Sequence, residues 1–176
     1  YWLTLENCSS KNQITNKSLY IRINQYLAYF DKQNINSNEI ILIILKESLD
    51  LFASFIAAIL HGAIPAYYPY PSPKQSKHNF SSLINHLLSY NKIRMIVGFP
   101  EVVQQMQKEL NDYETQFISY RDINNLAEMQ IKLKSNIDES FLQFSSGTTG
   151  AKKGVKITIS SLNNQIKSYT KILDLN

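Results

Sequence analysis

Apolar residues follow two spacings along the first 120 positions of the chain. In four stretches they recur every three or four residues, which predicts amphipathic helices. Short continuous apolar runs lie between these stretches, as expected for strands buried on both faces of a parallel sheet. The predicted helices cover residues 19–30, 48–61, 80–88 and 101–110, and the predicted strands cover residues 40–45, 63–68, 94–97 and 117–119.

This alternation of helices and strands predicts an α/β fold. Because strands joined through helices run parallel with right-handed crossovers, we expect a mostly parallel sheet with helices on both faces. Residues with capping preferences lie where the helices should begin and end. Thr15 or Asn16 is expected to cap the first helix, and Ser48 the second, which should end at Gly62.

The pattern changes after residue 128. Residues 129–139 are polar and have no clear period, which indicates a linker. Phe141–Phe144 is a short apolar strand, and residues 155–159 alternate between apolar and polar, as strands do. We therefore predict a long β-hairpin, followed by a helix through Leu173 that Ser160 or Ser161 caps. The chain divides accordingly into an α/β subdomain over residues 1–138 and a hairpin with its helix over residues 139–176.

The tip of this hairpin concentrates groups that bind phosphate. Glycines let a ligand approach the backbone closely, and a turn of this kind directs successive N–H groups toward one anion. Hydroxyl groups add donors, and a lysine adds a charge-assisted hydrogen bond. A phosphate-binding loop is therefore predicted. It contains Gly147, Gly150 and Gly154, the hydroxyls of Ser145, Ser146, Thr148 and Thr149, and the cations of Lys152 and Lys153.

Two widespread phosphate-binding motifs do not fit this loop. The Walker motif needs a second glycine where Lys152 or Val155 stands, depending on which glycine is taken as the first. The dinucleotide fingerprint needs two glycines separated by a single residue, and no glycines in the chain have that spacing. Both motifs also lead from a strand into a helix, whereas this loop is predicted to lead into a second strand.

Residues 144–155 read Phe-Ser-Ser-Gly-Thr-Thr-Gly-Ala-Lys-Lys-Gly-Val, which resembles the phosphate-loop signature of the adenylate-forming superfamily. That superfamily includes acyl-CoA synthetases, fatty acyl-AMP ligases, luciferases and peptide-synthetase adenylation domains. The chain departs from the usual signature at Lys152, where proline is usual, and at Ile159 and Ser160, a region where many members carry a histidine. A second segment, Ala57–Tyr68, resembles the helix–glycine–strand unit that precedes the loop.

The resemblance implies that the chain is part of the large N-terminal domain of an ATP-dependent acid–AMP ligase. Such an enzyme joins a small-molecule carboxylic acid to AMP and releases pyrophosphate. Most members then pass the acyl group to the thiol of CoA or of a carrier protein's phosphopantetheine arm. Adenine- and ribose-binding residues and Mg²⁺ ligands are expected beyond residue 176, so 176 residues alone should not catalyse adenylation.

Site residues follow from the same resemblance, position by position. No catalytic residue is implied within the chain. Lys153 would help to neutralise the ATP phosphates, and Gly154 would permit the return of the strand. The β- and γ-phosphates would be held by Ser145, Ser146, Gly147, Thr148, Thr149 and Gly150.

Three alternatives stay open. The same loop occurs in the amino-acid-adenylating domains of peptide synthetases, whose substrate-selecting residues should lie beyond residue 176. A non-catalytic module that binds a nucleotide or another anion would keep the fold without turnover. A surface hairpin rich in Ser, Thr and Gly without any ligand is the third alternative.

Composition excludes some classes of protein. An apolar fraction of 44% and a charged fraction of 18% are typical of a soluble globular domain. The net charge of +4 comes from scattered lysines, which does not favour a nucleic-acid groove. Charged residues interrupt the apolar region over residues 40–68, which argues against a membrane span. Cys8 is the single cysteine, and the chain has no signal-peptide pattern, so a cytoplasmic location is expected. Because the chain begins without methionine and stops directly after the predicted last helix, we expect it to be a piece of a larger N-terminal domain.

Two further groups of residues have weaker functional interpretations. The histidines at positions 61, 78 and 86 lack the spacing of a helical metal site and are expected at the surface or at helix ends. Residues 65–73 hold four of the five prolines together with Tyr67, Tyr68 and Tyr70. This stiff segment is either a wall of a pocket or, the preferred interpretation, a rigid surface connection with half-buried tyrosines.

Overall fold

A mixed six-stranded sheet forms the centre of the molecule. A computed structural model of the chain describes residues 3–7, 10–71, 76–110, 112–123, 140–144 and 154–173. The strands of this sheet are β3 (Ile40–Ile44), β4 (Ile64–Tyr67), β5 (Ile93–Gly98), β6 (Gln116–Ser119), β7 (Ser140–Phe144) and β8 (Gly154–Thr158). Their order is β6-β5-β3-β4-β7-β8, and all neighbours run parallel except β8, which pairs antiparallel with β7.

Helices cover both faces of the sheet, as predicted. They are α1 (Asn16–Lys32), α2 (Leu49–His61), α3 (Lys77–Tyr90), α4 (Pro100–Glu109) and α5 (Ile159–Ile172). In the central strand β3, Ile41 and Ile43 face a cluster built with α1 and α2, whereas Leu42 and Ile44 face a second cluster built with α3 and α4. Burial of both faces explains why β3 has a continuous apolar sequence rather than an alternating one.

The predicted caps of the first two long helices are confirmed. Thr15 accepts a hydrogen bond from the backbone N–H of Ser18, whose side chain binds back to Thr15 in a capping box. Ser48 caps α2 by accepting from the N–H of Leu51. Gly62 then ends α2 in the left-handed conformation at φ 89°, which a residue with a Cβ adopts only with strain.

Several details differ from the sequence-based predictions. A two-stranded antiparallel hairpin of β1 (Leu3–Asn7) and β2 (Ser10–Ile14) was not predicted. Thr158, not Ser160 or Ser161, caps α5, so Ile159 begins that helix instead of extending β8. The apolar positions of α5 are correctly placed on a helix, but α5 contains no buried residue.

His61 lies at the end of α2, as predicted, but it is buried rather than on the surface, and its ring packs edge-on against Phe30. The predicted boundary at residue 138 lies outside the described residues and stays a prediction. None of the described helices is long and apolar enough to cross a membrane.

An ion pair between the buried Arg22 and the half-buried Asp50 joins α1 to the start of α2. Arg22 donates from Nε to the Asp50 carboxylate over 2.6 Å and from Nη2 to the backbone carbonyl of Tyr120 over 2.8 Å. The Tyr26 hydroxyl donates to the same carboxylate over 3.1 Å. Since Arg22 is buried, loss of Asp50 would leave its charge with neutral hydrogen-bond acceptors only, which destabilises the fold.

The Tyr26→Phe variant is expected to lose less stability in alkali than the parent chain. Burial, and secondarily the Asp50 charge, holds the pKa of Tyr26 well above its usual value of 10.0. The contribution of Tyr26 to the free energy of unfolding is therefore complete below the unfolded-state pKa of about 10. It declines as the pH rises from there toward the folded-state pKa, because in this range only the unfolded chain releases the Tyr26 proton. Denaturant unfolding, repeated from about pH 8 to about pH 11, measures how steeply the free energy of unfolding falls with pH.

The matched control for this experiment is Tyr20→Phe, which removes a hydroxyl from a side chain that is 65% exposed. Tyr20→Phe should leave the alkaline slope unchanged. If Tyr26→Phe had the same slope as the parent chain, Tyr26 would not contribute to the dependence of stability on alkaline pH.

Candidate functional site

The two ends of the candidate phosphate loop are adjacent across the β-hairpin. Strand β7 ends at Phe144, β8 begins at Gly154, and these two residues are directly opposite each other in the antiparallel register. The strand–loop–strand arrangement is therefore as predicted. Of the candidate site residues, Gly154 is described, whereas the remaining members lie outside the described residues; these are Ser145, Ser146, Gly147, Thr148, Thr149, Gly150 and Lys153.

Side chains of β7, rather than an unusual backbone angle, distinguish the surroundings of the glycine at position 154. A Cβ built on Gly154 would overlap the end of the Leu142 side chain and would lie 3.3 Å from Cε1 of Phe144. Gly62 is the only glycine with positive φ among the described residues, so Gly154 has no conformational need to be glycine. The sequence-based interpretation assigned Gly154 to the return of the strand, and the structure adds that both neighbours occupy its side-chain space.

The loop leaves the sheet at the edge where parallel α/β proteins bind ligands. Strand β7 runs parallel to β4, with Leu142 opposite Ala66. The segment after Phe144 therefore begins at the same edge as the carboxyl ends of β3, β4 and β5. Ligands of open α/β sheets bind outside these carboxyl ends.

A small cavity lies at the same edge, between the ends of β3 and β5. These strands are neighbours, but the chain continues from β3 to α2 on one face and from β5 to α4 on the other. The cavity has a volume of about 90 Å³, which is below the roughly 300 Å³ of common small-molecule sites. It is lined by Leu45, Ser48, Asp50, Phe99 and Tyr120.

The tyrosine- and proline-rich segment has two environments. Tyr68 is buried, whereas Tyr67 is 42% exposed. Tyr70 is half-buried; the Lys46 ammonium lies 4.5 Å from its ring centre, and its hydroxyl donates to Glu101 over 3.0 Å. Burial, followed by this hydrogen bond, raises the pKa of Tyr70. The sequence did not predict these partners, because they come from separate strands and helices.

Aromatic contacts support the strand that leads into the loop. On one face of the sheet the ring of Phe144 packs against Tyr68, with ring centres 6.2 Å apart. On the other face Phe141 packs against Phe55 over 5.8 Å. Among the described residues no group of three or more His, Cys, Asp or Glu side chains could hold a metal ion. Mg²⁺ ligands beyond residue 176 therefore stay a prediction.

Comparison with known proteins agrees with the motif and the fold. The model of the AMP-binding enzyme family matches residues 4–175. The chain is 28% identical over 162 residues to a 4-coumarate–CoA ligase of Humulus lupulus, in an alignment that covers 88% of this chain and 30% of the ligase. It is 24% identical over 159 residues to gramicidin S synthase 1 of Brevibacillus brevis, covering 86% of this chain and 13% of the synthase.

Solved structures show the same fold at low sequence identity. A fatty acyl-adenylate ligase, from a study of the E. coli and L. pneumophila enzymes, superposes with a TM-score of 0.81 at 18% identity, covering 93% of this chain and 30% of that one. The McyG A-PCP protein in complex with phenylalanyl-adenylate gives a TM-score of 0.82 at 16% identity, covering 98% of this chain and 28% of that one. The chain thus spans about 30% of the length of these relatives, or less.

The adenylate-forming fold is therefore established by the structure and its neighbours. Members of the matched family are ligases that act on small carboxylic acids and use ATP and Mg²⁺. Because the family model covers almost the whole sequence, this chain belongs to the AMP-binding enzyme family.

Proposed function

We propose that this chain works within a larger carboxylate–AMP ligase, called the complete ligase below, in which it supplies the grip on the ATP phosphates. The observation that carries this proposal is the glycine- and hydroxyl-rich sequence of residues 145–154, whose two ends meet at the carboxyl edge of the sheet. That edge is where open α/β sheets bind ligands. The family match over residues 4–175 supports the same reaction class.

In the proposed reaction a carboxylate oxygen of the substrate forms a bond to the α-phosphorus of ATP. The bond from this phosphorus to the oxygen that bridges to the β-phosphate breaks, and pyrophosphate leaves with that oxygen. The products are an acyl adenylate and pyrophosphate. In a second step a thiol of CoA or of a carrier protein's phosphopantetheine attacks the acyl carbon, and AMP leaves.

The loop would contribute by positioning and by charge stabilisation rather than by covalent chemistry. Its N–H groups and hydroxyls would hold the β- and γ-phosphates, the part of ATP that leaves as pyrophosphate. Lys153 would add one positive charge, and Gly154 would keep the base of the loop closely packed. The direct phosphate ligands proposed here are Ser145, Ser146, Gly147, Thr148, Thr149 and Gly150.

The test is ATP–pyrophosphate exchange by the complete ligase with fatty, aryl, keto and amino acids. Exchange with one of these classes is the expected result, and that class would identify the substrate. Relatives point to different classes, because the chain resembles both a 4-coumarate–CoA ligase and gramicidin S synthase 1. If no acid supported exchange although MgATP bound, the chain would belong to a non-catalytic nucleotide-binding module instead.

An amino-acid-adenylating domain of a peptide synthetase is the second candidate. Gramicidin S synthase 1 and the McyG protein favour it. ATP–pyrophosphate exchange with the amino acids of the same panel decides between the two candidates. For either one we propose a cytoplasmic location, since the chain has a single cysteine and thus no internal disulfide.

Lys153→Ala is expected to weaken catalysis less than a change of a loop glycine. A single charge-assisted hydrogen bond contributes on the order of 1–3 kcal/mol, which is about 5-fold to 150-fold in kcat/KM. Steady-state kinetics with MgATP as the varied substrate measures the loss. Lys152→Ala is the control, since Lys152 is adjacent to Lys153 but has no assigned role in the proposed grip. Equal losses for Lys153→Ala and Gly150→Val would show that the backbone is not the main grip.

A further inference from the structure

We propose that Tyr68 is a positioning residue for the phosphate loop: its ring fixes Phe144, the last residue before that loop. This inference rests on the proposed function, because it assumes that residues 145–153 bind phosphate. The sequence alone offered Tyr68 only as part of a pocket wall or of a surface connection. The structure places it between the helix layer and the base of the loop instead.

Tyr68 is held on several sides. Its side chain is 3% exposed, and its ring packs against Phe80 of α3 with 6.0 Å between the ring centres. Its backbone N–H donates to the carbonyl of Ile43 over 2.9 Å, which fixes its position beside the central strand β3. A ring that is fixed by a helix and by the central strand is a rigid support for whatever packs on it.

Phe144 transmits this support to both ends of the loop. Its ring packs edge-on against Tyr68, and Phe144 directly precedes the loop at Ser145. Phe144 is also paired in register with Gly154, the residue at which the chain re-enters the sheet. Because a Cβ at Gly154 would lie 3.3 Å from the Phe144 ring, the ring occupies space beside that second end. A shift of Phe144 would therefore displace the chain where it leaves the sheet and where it returns.

Other well-buried hydrophobic residues lie farther from the end of β7. Leu42 and Ile96 are equally buried, but they belong to β3 and β5, which are separated from β7 by at least one strand. Phe55 does contact β7, but on the opposite face and at Phe141, three residues before the strand ends. Tyr68 thus differs from Leu42, Ile96 and Phe55 in that its ring packs against the residue after which the loop begins.

The test is steady-state kinetics of the complete ligase, with MgATP and the carboxylic acid varied separately. Tyr68→Leu should raise the KM for MgATP by about threefold to tenfold. Loss of one aromatic pair changes an equilibrium constant by about tenfold at most. The KM for the acid should change by less than about threefold, and kcat should fall by a smaller factor than the KM for MgATP rises, because Tyr68→Leu shifts the loop without removing any of its donors. Tyr68→Phe keeps the aromatic ring, so this variant should have the same KM for MgATP as the parent.

Phe30→Leu is the matched control, because Phe30 is fully buried but packs on α1 and α2, away from β7. It should lower the melting temperature without raising the KM for MgATP. If Tyr68→Leu does not fold, Phe144→Leu tests the same contact at a half-buried position. An unchanged KM for MgATP in the variant that folds, or the same rise in Phe30→Leu, would overturn the inference.

The two proposals fail in different ways. If Gly150→Val retained full exchange, the loop would not bind phosphate and the proposed function would be wrong. If Gly150→Val abolished exchange while Tyr68→Leu and Phe144→Leu kept the parent KM for MgATP, the loop would bind phosphate without support from Tyr68. In that case only the positioning role would be rejected.

Discussion

Gly150→Val should reduce ATP–pyrophosphate exchange by the complete ligase by at least about 100-fold, the loss typical for a backbone donor group that binds a reacting charge. Glycine at this position would let a phosphate approach the backbone N–H groups closely. Valine adds a branched Cβ that restricts the backbone and occupies space near those donors. The exchange rate at saturating acid, compared between parent and variant, measures the loss.

Ala151→Val is the matched control for this experiment. It introduces the same side chain one residue later, at a position that already carries a Cβ. Exchange should remain within about threefold of the parent rate in Ala151→Val, because Ala151 is not one of the proposed phosphate ligands. Circular dichroism of both variants should match the parent spectrum. Full exchange by Gly150→Val would refute the assignment of the loop.

The elements of the fold could be predicted because their signals are local. The continuous apolar run of β3 and the helical spacing in α1 depend on residues that are near each other in sequence. Ser48 and Gly62 marked the two ends of α2 for the same reason, since a cap needs a suitable residue at one position. These predictions are confirmed by the structure.

Local signals failed where several neighbours offered the same chemistry or none. Thr158, Ser160 and Ser161 all have hydroxyls that can cap a helix, and the end of β8 decides in favour of Thr158. The β1–β2 hairpin was missed because residues 3–14 contain neither glycine nor proline to mark a turn.

The arrangement around the candidate site could not be predicted because it depends on strand order. The sequence does not show that β7 lies beside β4, and this neighbourhood brings Phe144 to Tyr68. The packing reason for Gly154 likewise requires the register of β7 against β8. The motif predicted which residues form the loop, whereas only tertiary structure shows what holds its ends.

The isolated chain of 176 residues should show no detectable ATP–pyrophosphate exchange with any acid of the panel. The proposed loop grips only one end of ATP, and the cavity lined by Leu45, Asp50 and Tyr120 is, at about 90 Å³, too small to be an adenosine site. In the described part of the chain no group of three or more His, Cys, Asp or Glu side chains could hold a metal ion. Since in-line attack requires both the acid and the α-phosphate to be positioned, the phosphate grip alone cannot accelerate it.

Binding of MgATP to the isolated chain should also be weak, with a Kd of about 1 mM or higher, because only the phosphates would be held. Calorimetric titration measures this affinity, and circular dichroism must first show that the purified chain has its helices and strands. The complete ligase under the same conditions is the positive control for exchange, and the Gly150→Val form of the isolated chain gives the background. Turnover above that background would mean that these residues already contain the means to bind the acid and to align it with the α-phosphate.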